Sequence, residues 1–385
     1  MRLPPRLASH HLAWAVVAWL AGCAAPQPDR LTLEPVPYSD LPGWQADHAA
    51  AALPALRESC AQAPALSTAA KATGIAEAEM DAGWRRACAA VSGVPAGDDA
   101  AFRRMLEEQF QPYAVGNNAR RDGLMTGYFE PEFAGSRVAD GQMRAPLLAR
   151  PNDLVEADLA GRTIVGRLQD GAVVPYWDRA QIEAGALGNQ AKPIAFLASP
   201  IDVFFLQIQG SGRVLLGDGE VLRVGFDGRN GRPYVPIGRV LVERGRLLRS
   251  EVTMQSIRAW LEQHPQEADE VMAQNPSYVF FRVIDGLAAG DGPIGALGVK
   301  LTPGRSIAVD RAHIPLGLPV WVETTDPLDA SALRRLMLAQ DTGGAIKGPV
   351  RGDIFFGWGA DAALRAGAMQ QPGRLTLLLP RRTSP

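Results

Sequence analysis

Two aspartates near the C-terminal end have the residue type and the setting for acid chemistry. In LAQDTGGAIKGPVRGD, Asp341 lies between an apolar run and two glycines, Gly343 and Gly344, and Asp353 follows twelve residues later. Apolar neighbours partly desolvate a carboxyl group, as a general acid at neutral pH requires. The glycines would let a bulky substrate approach the backbone. The stretch predicts one acid, Asp341, in a groove, and a turn-capping aspartate is the alternative.

Other enzyme classes fit the sequence less well. An Asp-Thr-Gly is also typical of aspartic proteases, but these need a second carboxylate to share the proton, and no second Asp-Thr-Gly or Asp-Ser-Gly occurs. The sequence has no G-x-S-x-G nucleophile motif. His48, His264 and His313 are far apart and lack metal-ligand spacing. The sequence therefore predicts neither a metal nor a cofactor.

Two further stretches combine aromatic rings, amides and glycine, as carbohydrate-binding grooves do. They are GYFEP at 127–131 and FLQIQGSG at 205–212. Gln207, Gln209 and Ser211 alternate, so they are predicted to share one face of a strand. An ordinary polar strand face is the simpler alternative. Glu130 and Glu132 could supply a second carboxylate, although a salt bridge is the plainer expectation.

The elements that must position these residues change in type along the chain. Residues 45–115 have helical patterns, and short apolar runs separated by glycine turns follow from Leu124 onward, as expected of strands. From Asn275 the pattern predicts six or seven short strands that close into a barrel. The predicted helices are Ala46–Ala61, interrupted at Pro54, Ile75–Val91, Asp99–Phe110 with Asp98 as N-cap, Asp178–Leu187, Met254–His264 and Ala360–Met369.

Length and composition bound the class of protein. The chain has 385 residues, 47% of them hydrophobic, and a net charge of −2. These values predict a globular protein of about two domains that does not bind nucleic acid.

The N-terminus is a separate segment. Arg2 and Arg6 precede an apolar run, Leu12–Ala21, that is too short to span a bilayer. The run ends in Leu-Ala-Gly-Cys at Cys23, which resembles a bacterial lipoprotein signal. An ordinary signal peptide with an incidental cysteine is the alternative. The proline-rich residues 24–43 are predicted to tether the domain to the membrane.

Cys60 and Cys88 are the two cysteines besides Cys23. Both lie in alanine-rich helical sequence, and an exported chain meets an oxidising compartment. A disulfide between two helices is the favoured prediction, and two buried free thiols are the alternative.

Several longer motifs of the chain resemble those of a known family. TGYFEPEFAGSR, FFLQIQGSGRV, GFDGRNGRPYVPIGR and LAQDTGGAIKGPVRGDIFFGWG resemble the membrane-bound lytic murein transglycosylase A family, in the family's order, from about Thr126 to Trp358. The resemblance implies a mainly β fold with N-terminal helices, in which a double-psi β-barrel carries an inserted β-rich domain and a groove between them holds a glycan. Together with the N-terminal pattern, which predicts a signal peptide at 1–22 and a tether at 23–44, it gives helices and the first barrel strand at 45–130, the insert at 131–272 and the rest of the barrel at 273–385.

The resemblance also implies roles for individual residues. Asp341 matches the family's catalytic acid, and Asp310 and Asp353 match two supporting aspartates. Positions in motifs that line the family's groove are Thr126, Tyr128, Gln207, Gln209 and Ser211. The family cleaves the β-1,4 bond between N-acetylmuramic acid and N-acetylglucosamine. It forms a 1,6-anhydro end without water, so a single acid suffices.

The expected protein is therefore a cell-wall remodelling enzyme. The resemblance and the lipoprotein signal place it at the outer membrane of a Gram-negative bacterium, facing the periplasm. Its expected partners are peptidoglycan strands and, through Cys23, membrane lipid. The alternatives are a non-catalytic glycan-binding lipoprotein and a hydrolase that pairs Asp341 with Asp353 or Glu130.

Overall fold

The computed structural model describes residues 28–159 and 162–382, so the predicted signal peptide and Cys23 lie outside the described residues. The strands are β1 Leu31–Pro35, β2 Phe110–Asn117, β3 Gly123–Glu130, β4 Glu132–Ser136, β5 Ala145–Leu148, β6 Leu154–Leu159, β7 Arg162–Gln169, β8 Ala172–Pro175, β9 Pro193–Leu197, β10 Ser211–Leu216, β11 Val221–Arg229, β12 Val279–Val283, β13 Ser306–Val309, β14 Pro319–Thr325, β15 Ala332–Asp341, β16 Arg351–Trp358 and β17 Gln370–Pro380.

The helices lie in three places along the chain: before the barrel strands, within the insert and before the last strand. They are α1 Leu53–Cys60, α2 Ser67–Thr73, α3 Glu77–Ser92, α4 Asp99–Gln109, α5 Arg179–Glu183, α6 Pro200–Gln209, α7 Ile237–Glu243, α8 Met254–Gln263, α9 Pro265–Ala273 and α10 Gly359–Ala368. Within the described part of the chain, no helix combines the length and the apolar character needed to cross a membrane.

Six strands close into a barrel. The largest sheet has the order β1-β2-β17-β14-β15-β13-β16-β3, and β17 also pairs with β3, so the strands from β17 to β3 form a ring. The β13–β15 and β16–β3 pairs are parallel, and the other pairs of the ring are antiparallel. The fold is thus the predicted sheet-rich protein with N-terminal helices and a closed barrel.

The segment predicted as a tether is partly folded. Residues 31–35 form β1, which pairs antiparallel with β2 along its whole length. Trp44 is buried and packs edge-on against Trp321 of β14. The prediction of a tether to residue 44 is therefore wrong from residue 31 onward, because its apolar residues pack on the barrel domain despite the high proline content.

The inserted part contains two further sheets. One has the order β12-β11-β10-β4-β9-β5, and the other is β6-β7-β8. The barrel strands were predicted to begin after Asn275, but the first strand there, β12, pairs antiparallel with β11 of the insert. The insert's sheet therefore extends to residue 283 and does not end at 272. An apolar strand looks the same in sequence whichever sheet it joins.

Most helix predictions differ from the structure only at their ends. Asp98 caps α4 by accepting a hydrogen bond from the Ala101 N–H. The predicted helix Ala46–Ala61 begins only at Leu53, because Pro54 lies in its first turn, where a missing N–H costs little. The predicted helix Asp178–Leu187 is shorter, since α5 ends at Glu183.

The N-terminal helices pack on the barrel in one continuous core. Side chains of α1, α3 and α4, including Leu56, Met80 and Phe102, join barrel residues such as Trp321 and Leu338 in this core. The sulfur atoms of Cys60 in α1 and Cys88 in α3 are bonded as a disulfide. These helices therefore pack on the outside of the barrel, and they contribute no side chain to the groove between the barrel and the insert.

Candidate active site

The register of the barrel lines up the predicted acid residues in one row. Asp341 ends β15 and is the partner of Ala308 in β13, and Ala308 is also the partner of Asp353 in β16. Asp353 is in turn the partner of Thr126 in β3. Adjacent strands lie about 4.8 Å apart, so Asp341 and Asp353 are two strands apart in the same row. The closed barrel brings together segments more than 200 residues apart.

Asp341 accepts hydrogen bonds on both carboxylate oxygens. Oδ1 accepts hydrogen bonds from the Ala296 N–H and from the N–H of Thr342, the next residue in the chain, each at 2.9 Å. Oδ2 accepts from the Tyr128 hydroxyl at 2.9 Å. Two backbone donors occupy Oδ1, so Oδ2 is the oxygen with a lone pair left for a transferable proton. Asp341 itself is half-buried, with access to the groove.

Tyr128 is held rigidly beside Asp341. Its ring packs against Phe355 at a centroid distance of 5.2 Å. Burial, followed by the negative charge of Asp341, raises the pKa of Tyr128 well above its ordinary value. The phenol therefore keeps its proton at neutral pH and acts as a hydrogen-bond donor to the carboxylate.

Asp353 is part of a network behind the groove. Its Oδ1 accepts a hydrogen bond of 2.6 Å from the Thr126 hydroxyl, and Arg351 donates to that hydroxyl at 2.8 Å. Burial is the main cause that raises the pKa of Asp353, the charge of Asp341 adds to it, and Thr126 and Arg351 oppose it. Asp353 and Thr126 thus contact each other, and neither lines the cavity around Asp341 or the two clefts beside it.

Asp310 holds the loop that follows the acid. It is 6% exposed and accepts hydrogen bonds from the backbone N–H groups of Ala312 and Gly348. Gly348 has a φ of 100°, a conformation that glycine adopts without strain. Asp310 therefore fixes the segment between Asp341 and β16 and has no direct access to a substrate beside Asp341.

A groove runs along β3 between the barrel and the insert. Around Asp341 it forms a cavity of about 160 Å³ that is also lined by Tyr128 and Ser211. Two larger clefts, of about 350 and 320 Å³, adjoin this cavity, because Phe129 and Gln209 line all three. The groove thus offers aromatic and amide groups next to the acid.

The predicted strand face of Gln207, Gln209 and Ser211 is wrong. The two glutamines lie in helix α6, and only Ser211 belongs to a strand. Gln207 is 6% exposed and accepts a hydrogen bond from Arg179 inside the insert, so it does not reach the groove. The sequence did contain the helix signals, because Ser199-Pro200 starts α6 and Gly210 ends it.

The glutamates at the barrel–insert junction are held in ion pairs. Glu130 is 3% exposed and accepts two hydrogen bonds from Arg223, at 2.7 and 2.8 Å. Glu132 Oε1 lies 3.1 Å from Arg213 Nε. Burial raises the pKa of Glu130, against the lowering effect of Arg223 and Arg213. The salt bridge that the sequence favoured for these glutamates is therefore present.

The glycines after the acid leave open space. A side chain at Gly344 would meet no atom within 4 Å, and one at Gly343 would touch only Ile346. The sequence gives no sign of the Ala296 N–H that holds Asp341, since a backbone donor leaves no signal in the side chains. Phe129 was not predicted as a site residue, although it lies inside the motif GYFEP.

Comparison with known proteins supplies the context for this geometry. Residues 124–282 match the model described as the MltA specific insert domain, and residues 305–379 match the 3D domain. Membrane-bound lytic murein transglycosylase A of Escherichia coli K12 is 34% identical over 261 residues, which are 66% of this chain and 64% of that protein. The crystal structure of MltA from Neisseria gonorrhoeae, 34% identical, covers 92% of this chain and 94% of its own, with a TM-score of 0.80.

The chain belongs to the membrane-bound lytic murein transglycosylase A family. The chain spans less than two thirds of the curated E. coli relative, although the gonococcal structure is covered almost completely. A second structure of this family, E. coli MltA with bound chitohexaose, is 26% identical, with a TM-score of 0.61 over 94% of both chains. The family's insert model covers β3 to β12 except the first residue of β3 and the last residue of β12. Its 3D model covers Asp341 in β15, Asp353 in β16 and Asp310, which directly follows β13.

Proposed function

We propose that this protein is a lytic murein transglycosylase that cleaves the glycan strands of peptidoglycan, with Asp341 as its single acid and base. The observation that carries the proposal is which carboxylates of the groove form ion pairs with arginine and which one does not. Glu130, Glu132 and Asp202 each lie in an ion pair with an arginine. Among the described residues that line the groove, Asp341 has no such partner and points an oxygen into the cavity beside Tyr128.

The hydrogen bonds suggest which oxygen transfers the proton. Oδ1 of Asp341 is occupied by two backbone N–H groups, so the acid form carries its proton on Oδ2. Oδ2 passes this proton to the glycosidic oxygen, and the bond from that oxygen to C1 of the muramoyl sugar breaks. Tyr128 then donates to the carboxylate that forms and stabilises its negative charge.

The second step uses the same oxygen in the opposite direction. The C6 hydroxyl of the muramoyl unit attacks its own C1, and Asp341 Oδ2 takes the hydroxyl proton. A C1–O6 bond replaces the C1–O4 bond, the acid is regenerated and no water is consumed. Intramolecular attack has a high effective molarity, so no second carboxylate is needed to activate a nucleophile.

A hydrolase has less support in this geometry. Ordinary glycosidases place a second carboxylate across the scissile bond to activate water or to attack the sugar. Glu130 is neutralised by Arg223, and Asp353 lies behind the groove with Thr126. The substrate class itself is supported by the family and by the chitohexaose bound in the E. coli relative.

A lipid anchor at Cys23 belongs to the same proposal. The first described residues are already attached to the barrel domain, because Asp29 accepts a hydrogen bond from Asn117 and the Pro28 carbonyl accepts one from Asn118. Five peptide units from Cys23 to Pro28 reach at most roughly 18 Å. Lipidation would therefore hold the barrel close to the membrane, in keeping with an outer-membrane protein that faces the periplasm.

The test is mass spectrometry of the products released from purified sacculi by the protein lacking residues 1–23. The wild type is expected to release 1,6-anhydro muropeptides, and Asp341→Asn to release none while it still binds sacculi. Products heavier by one water would show a hydrolase. Equal binding with no products from either protein would favour a glycan-binding lipoprotein.

A further inference from the structure

Two arginines of the insert lie side by side against the barrel. Arg213 in β10 and Arg223 in β11 are direct partners in the sheet, and both are 2% exposed. Two adjacent cations repel each other, and Glu130 at the end of β3 compensates for this. Its carboxylate accepts two hydrogen bonds from Arg223 and lies 3.6 Å from Nη1 of Arg213. Glu130 also precedes the point where the chain first crosses into the insert.

The same two arginines also hold the second crossing, where the chain returns to the barrel. Arg223 Nη1 donates to the Asp291 carbonyl at 2.7 Å, and Arg213 donates to the carbonyls of Asp291 and Ala289. The Arg213 guanidinium stacks on Trp358, 4.2 Å from the ring centroid, and Trp358 is the strand partner of Glu130. Both crossings are thus bound by one pair of side chains from the insert.

These two crossings carry the donors that orient Asp341. Tyr128, which donates to Oδ2, lies two residues before Glu130 on the same strand. Ala296, whose N–H donates to Oδ1, lies five residues after Asp291. Only the third donor, the N–H of Thr342, belongs to the acid's own loop.

We infer that Arg213 and Arg223 are positioning residues, which couple the placement of the insert to the orientation of the Asp341 carboxylate. Buried ion pairs seldom raise stability above that of a well-packed apolar cluster, so stability alone does not explain a buried pair of arginines. The arrangement does fix geometry, because each guanidinium binds several acceptors in defined directions. This inference rests on the proposed function wherever activity is measured.

Arg223→Lys is the first variant to test. Lysine keeps a positive charge beside Glu130. Its single ammonium group, however, cannot bind both Glu130 and the Asp291 carbonyl as the planar guanidinium of Arg223 does. We expect kcat on glycan strands to fall at least tenfold while KM and the dissociation constant for chitohexaose change less than threefold. Arg179→Lys is the matched control, since Arg179 is equally buried in the insert and contacts Gln207 and Ser277. The control is expected to lower Tm without lowering kcat.

A double-mutant cycle with Tyr128→Phe separates positioning from general damage. If Arg223 acts through Tyr128, the losses in kcat of the two single variants are not additive in the double variant. Additive losses, or an unchanged kcat in folded Arg223→Lys, would overturn the inference. Should Arg223→Lys fail to fold, Arg213→Lys takes its place, because it leaves the pair of Arg223 and Glu130 intact.

A readout without turnover keeps this inference distinct from the proposed function. In a crystal structure of Arg223→Lys, the bonds from Tyr128 Oη and Ala296 N to Asp341 should lengthen beyond 3.5 Å or lose their direction. Arg179→Lys should leave both bonds unchanged. If these two hydrogen bonds are unaltered in Arg223→Lys, the positioning role is refuted, even if the wild type proves inactive on glycan. A wild type without anhydro products, but with altered bonds in the variant, would refute only the proposed function.

Discussion

Tyr128 Oη donates a hydrogen bond of 2.9 Å to Asp341 Oδ2 across 213 positions of sequence. The contact exists because β3, which precedes the insert, closes a barrel whose other strands come from the C-terminal part of the chain. Phe355 packs on the Tyr128 ring and fixes the direction of its hydroxyl. The orientation of the candidate acid therefore depends on a strand that lies at the edge of the insert.

Tyr128→Phe removes this bond without changing the shape of the ring. A hydrogen bond to a charged group contributes roughly 1.5–3 kcal/mol, so we expect kcat to fall about 10- to 100-fold with little change in KM. Steady-state kinetics on soluble glycan strands measure this. Tyr113→Phe is the matched control and should keep full activity, because Tyr113 lies in β2, which pairs with β1 and β17 outside the ring of barrel strands. A Tyr128→Phe variant with wild-type kcat would contradict the role of the hydroxyl.

Asp353→Asn should change the pH dependence of stability. Burial raises the pKa of Asp353 in the folded protein, so its neutral form favours folding, and this contribution is lost as the pH rises through the folded-state pKa. Asparagine can still accept the bond from Thr126 and does not ionise. The unfolding free energy of the variant relative to the wild type should therefore increase above about pH 4, by roughly 1.4 kcal/mol for each unit of pKa shift.

Urea unfolding of both proteins between pH 3.5 and pH 8 measures this difference. It should rise with pH and then level off above the folded-state pKa of Asp353. A difference that is flat or that falls over this range would show that burial does not dominate at Asp353.

Asp310→Ala should loosen the loop that follows the candidate acid. The Gly348 N–H is buried and would lose its acceptor, at a cost of roughly 1–3 kcal/mol of unfolding free energy. We expect faster hydrogen exchange at the Gly348 amide and a lower kcat, because the loop begins at Asp341. Asp329→Ala is a suitable control, since Asp329 holds the Ser331 N–H in an exposed turn. Equal exchange at Gly348 in variant and wild type would exclude this role of Asp310.

Replacing both Cys60 and Cys88 with serine should lower stability and leave activity intact. The disulfide closes a loop with a sequence separation of 28, for which roughly 2–4 kcal/mol of unfolding free energy is expected. The two helices pack on the outside of the barrel and lend no side chain to the groove. Thermal unfolding and kcat at 25 °C, with and without reductant for the wild type, test both parts. A loss of kcat at that temperature in the folded variant would show that the bracing helices influence the groove.

Local sequence was enough for several elements of the fold. Asp98 and Asp178 each accept an N–H bond as an N-cap, because a short side-chain acceptor and the helix start are encoded by neighbouring residues. A disulfide between Cys60 and Cys88 was the favoured prediction because both cysteines lie in helical sequence, and the structure contains this disulfide. The choice of Asp341 also came from local sequence, since it alone joins an apolar strand to a glycine pair.

The tertiary structure decided everything that depends on segments far apart in the chain. It placed β12 in the insert, folded residues 31–35 onto the barrel and buried Gln207 beside Arg179. It also brought the Ala296 N–H to Asp341. Local patterns report which residues will be buried, because that depends on the period of a helix or strand. They do not show which residues the buried side chains pack against, because the packing of the whole chain decides which distant segments pair. A buried arginine or backbone N–H therefore acquires its role only in the folded chain.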